Sequence, residues 1–159
     1  MGYTKNCKYF KISSDRKKIH SPNVDIAPLN GSAAYGGCVQ LDTDRIAYVG
    51  GASSHQNTME IYNIKQNKWI KHNARTKFAH TYYPSIWTDP NHGGNILYIA
   101  GDYLGGSNNT KDEIGCIECI DFRESKPSWK SIWKLSTMQN TFFRSYGTQV
   151  TTGIFSICC

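Results

Sequence analysis

Cys116-x-x-Cys119 is the spacing in this chain with the most chemical potential. A zinc centre takes four ligands, usually as two such pairs, and no second pair follows. In a strand, residues three apart face opposite ways, so the two sulfurs are expected to diverge into a core. The adjacent Cys158 and Cys159 suggest no specific role. The five histidines stand apart at 20, 55, 72, 80 and 92, with no HExxH and no His-x-x-x-His. Gly101 to Gly106, GDYLGG, looks like a phosphate loop but lacks the Gly-Lys-Ser/Thr ending and a following helix. There is no GxGxxG, no GxSxG and no acidic pair at catalytic spacing. The expectation is no catalytic residue, no metal and no cofactor.

Charge gives a second reading. The net charge is +6, which suits phosphate binding when lysines and arginines cluster. Here they are scattered, and the densest run, Asp15-Arg16-Lys17-Lys18, falls where a turn is expected. A solvated turn is the simpler account, and a basic surface for nucleic acid or acidic lipid stays as an alternative. The opening MGYTKNCKYF has no apolar run, and no stretch approaches the ~20 apolar residues of a membrane span. A cytoplasmic protein with reduced cysteines is the expectation.

The elements that would position any site repeat. Arg45 to Trp69 reads as strand, double glycine, polar loop, strand, turn and tryptophan. About fifty residues on, Asn95 to Gly101 and Gly115 to Trp129 repeat the order. Glu60-Ile61-Tyr62-Asn63-Ile64 lines up with Glu118-Cys119-Ile120-Asp121-Phe122. Frequent turn residues and an aromatic content of 13% fit many short strands.

These residues resemble the kelch-repeat β-propeller family. The likeness is carried by Gly50, Gly51, Tyr62 and Trp69 in one copy, and by Gly101, Asp121 and Trp129 in the next. The copies depart from the family pattern at Asn63, at Ala100 and at Ile120, where Asp, Gly and Tyr are usual. The resemblance implies an all-β partial propeller of antiparallel four-stranded blades. Residues 1–20 would end one blade, 33–72 and 78–135 would be blades, and 144–159 would begin a truncated one. Strands are expected from Ser32 to Leu41 and from Phe78 to Trp87 as the first of each blade. Trp69 is expected to wedge between blades.

The resemblance further implies a protein-interaction scaffold, a substrate-recruiting module that binds a partner or peptide without chemistry of its own. Loops joining second to third strands and blade to blade would share one end. They offer His55, Asn57, Arg75, Lys77, Tyr103, Asn108, Asn109 and Arg144 as contacts. His80 is expected to be structural. The rival is a fragment of a propeller enzyme, either a hydrolase or a copper oxidase using His80 with Tyr82 or Tyr83. An open arc of blades is also expected to self-associate.

Overall fold

The computed structural model describes residues 8–12, 19–20, 26–31, 34–52, 55–81, 83–101, 116–134 and 155–158. The fold is all-β. Strands β3 (Gly37–Gln40), β4 (Arg45–Val49), β5 (Met59–Asn63) and β6 (Lys68–His72) form one antiparallel sheet in chain order. Strands β7 (Ser85–Thr88), β8 (Ile96–Ala100), β9 (Cys116–Asp121) and β10 (Lys130–Lys134) form a second with the same meander. A third sheet joins the ends of the chain. In it β11 (Phe155–Cys158) pairs with β1 (Lys8–Ile12), which pairs with β2 (Ile19–His20). No helix among the described residues is long and apolar enough to cross a membrane.

Alternation along the strands sorts each four-stranded sheet into two faces. One face of the first sheet carries Val39, Ala47, Val49 and Met59. It packs against Ile86, Leu97, Ile99 and Ile120 of the second, and this is the main core. The inner strands β3 and β7 lie side by side, so closely that a Cβ on Gly37 would sit 2.7 Å from Cγ2 of Ile86. The opposite face of the first sheet holds Ile46, Tyr48, Tyr62 and Trp69, closed over by Leu29 and the chain around it. Strand β11 lies against β3.

The two tryptophans do different work. Trp129 packs into the core between the sheets, together with Ile61 of the first sheet and Ala74. Trp69 is 3% exposed and packs against its own sheet's lead-in, where its Nε1–H donates to the Ala27 carbonyl at 2.9 Å. The wedge between the two four-stranded sheets is therefore Trp129.

The repeated turns explain one departure in the copies, Asn63 where Asp is usual. Asn63 accepts the Gln66 amide at 2.9 Å, and Asp121 accepts the Arg123 amide at 2.9 Å. Either side chain closes this turn. Gly50 and Gly51 have φ of 72° and 105°, and a Cβ on Gly50 would meet the His80 carbonyl at 2.2 Å. The double glycine serves both the turn and the close passage of the next lead-in.

The first strands start later than the sequence suggests, at Gly37 and Ser85. The preceding segments spend their amides elsewhere. Lys77 and Phe78 donate to Glu118, His80 donates to the Gln56 carbonyl, and Tyr83 donates to the Tyr35 carbonyl. Pro84 has no amide to give.

Candidate functional site: the loop end of the sheets

One end of the molecule is built on two buried glutamates. Glu60 in β5 and Glu118 in β9 occupy equivalent positions and are 1% and 0% exposed. An ionised carboxylate in such a place needs donors on both oxygens. Glu118 takes the Lys77 amide at 2.8 Å, the Phe78 amide at 3.1 Å and His80 Nε2 at 3.0 Å. Glu60 takes the Asn30 amide at 3.1 Å, Asn30 Nδ2 at 2.8 Å and lies 3.3 Å from His55 Nε2. Burial pushes both carboxyls up, but the histidine and amide hydrogen bonds outweigh it and hold both below the usual glutamate value. Each glutamate thus staples the lead-in of a sheet to its third strand.

The histidine partner comes from a different place each time. His80 lies on the lead-in before β7, whereas His55 lies in the connection between β4 and β5. His55 reaches its place because Gly31 leaves room: a Cβ there would sit 2.5 Å from the ring. Its ring also meets Tyr48 edge-on at 6.2 Å between centroids.

His80, Cys116 and Glu118 bring N, S and O donors within 4.8 Å of one another, all buried. Zinc accepts such a donor set. Here hydrogen bonds already close it. His80 Nδ1 lies 2.9 Å from the Gly101 carbonyl, and the Glu118 oxygens accept from His80 and two amides. A bound ion would have to displace these staples. His80 turns to Glu118, while Tyr83 turns to Tyr35; Tyr82 lies outside the described residues. Cys119 lies on the opposite face of β9, in register with Tyr98.

The loops above the staples are zipped together. The Gly51 amide donates to the His80 carbonyl at 2.7 Å, and the Ala52 amide to the Ala34 carbonyl at 2.8 Å. The Thr76 amide donates to the Asn57 carbonyl at 3.1 Å, and Asn57 Nδ2 returns a bond to the Thr76 carbonyl at 3.2 Å. The loop between β4 and β5 and the loop between the sheets therefore share one end.

This places the expected contact residues unequally. His55 is 4% exposed and faces Glu60, so it is a supporting residue and not part of the loop surface. A polar side chain in a loop reads as solvated unless its buried carboxylate partner is known. Asn57 is half-buried and holds the two loops together. Arg75 and Lys77 are exposed, with Lys77 Nζ 5.4 Å from the Phe78 ring centroid. Tyr103, Asn108, Asn109 and Arg144 lie outside the described residues.

Two tyrosines join this rim. Tyr35 and Tyr83 each stand two residues ahead of a first strand, at φ of 64° and 70°. Left-handed backbone is uncommon for a tyrosine and costs on the order of 1–3 kcal/mol. The Tyr83 amide donates to the Tyr35 carbonyl at 2.7 Å, and the rings meet edge-on with centroids 5.1 Å apart. Tyr83 is 56% exposed. Sequence reasoning passed over this pair and the glutamate roles; the available signal was a Glu, and a Tyr, at matching points of the repeat.

No family model matches the chain, and no curated protein matches it.

Proposed function

We propose that the chain is a kelch-like propeller segment that acts as a protein-interaction scaffold, a substrate-recruiting module working in the cytoplasm. Its ligand is an acidic peptide segment received at the loop end, and it carries out no reaction on it. The observation that carries this reading is the tyrosine pair. Two repeat-equivalent tyrosines are held in strained backbone at the heads of adjacent inner strands, and one of them is open to solvent. Strain of this kind persists where surrounding structure enforces it, and it clusters at ligand clamps. Tyrosine supplies a large contact area with few torsions to freeze.

Charge sets the ligand class. Arg75 and Lys77 are exposed on the loop that leads to Tyr83, and the chain carries a net charge of +6. Complementary acidic segments would be steered to this end, with binding that weakens as salt rises. The staples beneath fix the lead-ins, so the rim is pre-organised.

The test is selection from a display library of acidic peptides on the immobilised chain, followed by titration. Enriched peptides should lose about tenfold or more in affinity when Arg75 and Lys77 are both changed to Glu. No enrichment over a scrambled library, or peptides indifferent to the double change, would remove the reading.

A further inference from the structure

We propose that His72 is a pH-operated latch on residues 73–75: protonation of its ring releases Ala74, whose carbonyl then accepts the indole N–H of Trp129. The device belongs to the loop between the two sheets and does not depend on what the loop end binds.

The first sheet holds the completed form of the contact. Trp69 Nε1 donates to the Ala27 carbonyl at 2.9 Å, and Ala27 stands three residues ahead of Asn30, whose amide Glu60 accepts. In the second sheet Trp129 takes the place of Trp69, and Ala74 stands three residues ahead of Lys77, whose amide Glu118 accepts. Ala74 and Trp129 pack against the same core cluster. Yet Trp129 Nε1 is buried and has no acceptor among the described residues. A buried N–H in this state is costly, and an equivalent carbonyl close by offers relief.

What differs is the partner of the alanine amide. The Ala27 amide donates to Asn67 Oδ1 at 2.8 Å, an acceptor at any pH. Asn67 stands two residues before Trp69, and two residues before Trp129 the chain has Pro127, which has no side-chain acceptor. The Ala74 amide donates instead to His72 Nδ1 at 3.1 Å, a bond that only a neutral ring accepts. Once Nδ1 carries a proton, two donors face each other and the bond is lost. The ring rests edge-on against Phe122 with centroids 5.8 Å apart, and burial lowers its pKa from the ordinary 6.5. The latch therefore opens in mildly acidic solution, below that value.

The surroundings offer the charged ring no new partner. Among the described residues the carboxylates on the neighbouring strands are bonded elsewhere: Glu60 to Asn30, Glu118 to His80 and Asp121 to Arg123. Arg45 lies 5.9 Å from the Phe122 centroid and is paired with Asp42. Lys68 and Lys71 on its own strand and Arg75 in the loop are exposed and positive. Residues 73–75 are also the part of the loop that can shift alone. His72 is in register with Met59, and Thr76 is tied to Asn57 through both its amide and its carbonyl. Arg75 moves with Ala74, so the exchange alters the charge presented at the loop end.

The experiment is NMR of the full nitrogen-labelled chain, titrated from neutral to mildly acidic pH. The indole N–H signal of Trp129, assigned with Trp129→Phe, should shift downfield along the same curve as the His72 ring, while that of Trp69 stays in place. The Ala74 amide should lose its hydrogen-exchange protection over the same range. His72→Phe, whose ring cannot accept the amide, should show the shifted Trp129 signal at neutral pH and no further change on acidification. A Trp129 signal that stays in place while His72 titrates, or that follows the titration of another group, would overturn the proposal. So would a His72→Phe variant whose Trp129 signal keeps the wild-type neutral position or still follows pH. If that variant fails to fold, the wild-type curves of His72 and Trp129 decide alone.

Discussion

At the scale of single residues, the account turns on two carboxylates that do not behave as surface groups. Glu118 is wholly buried with three donors around it, so removing its charge strands the Lys77 and Phe78 amides and the His80 ring. Glu118→Ala is expected to cost about 3–5 kcal/mol in a denaturant titration, against well under 1 kcal/mol for Glu124→Ala on the surface. The pH dependence has a definite sign. Glu60 and Glu118 sit below their ordinary value of 4.5 when folded, so their contribution is complete above that value and disappears as pH falls through the folded values. Burial also holds His72 below its ordinary 6.5, with Nδ1 accepting the Ala74 amide. Charging His72 in the unfolded chain therefore erodes stability first, as pH drops below 6.5, and the glutamates follow in the more acidic window. Melts recorded from neutral to acid pH should show both steps, and His72→Phe should remove the earlier one.

Elements tell apart residues that the sequence treats as equivalent. Trp69 and Trp129 align in the repeat, yet Trp69 donates to Ala27 while Nε1 of Trp129 is buried without a partner among the described residues. Changing each to Phe should therefore cost about 1–2 kcal/mol more at Trp69 than at Trp129, measured by chemical unfolding. Glycines separate in the same way. Gly94 has φ of 78° and a Cβ there would lie 1.5 Å from the Leu41 carbonyl, whereas Gly101 has φ of 89° and a Cβ there would meet nothing within 4 Å among the described residues. Gly101→Ala should lose on the order of 1 kcal/mol from strain alone, and Gly94→Ala clearly more, because backbone of the neighbouring sheet must move.

For the whole molecule, what could be read in advance was what repeats. Gly50, Gly51, Tyr62, Trp69 and Asp121 announced strands and turns because their types answer local backbone and packing demands. The all-β class and the position of most strands followed from that pattern. The starts of the first strands did not, since hydrophobicity at Phe78 and Ile86 is the same whether the amide joins a ladder or a carboxylate. His55 was legible as a loop residue but not as the partner of Glu60, because their contact depends on the space that Gly31 leaves. The left-handed Tyr35 and Tyr83 carry no local signature, since tertiary contacts impose their backbone. Nor does any local pattern tell that β1 and β11, from opposite ends of the chain, pair in one sheet.

The most direct test of the loop end as a binding surface is to measure stability and peptide affinity together in Tyr83→Gly. Glycine accepts a φ of 70° without strain, so the variant should melt at the same or a higher temperature than the wild type. Its affinity for a selected acidic peptide should nevertheless fall about tenfold or more, as loss of an aromatic anchor does. A loss of affinity with no loss of stability is the result the account predicts. Retained affinity, or a loss of affinity that merely tracks a loss of stability, would contradict it.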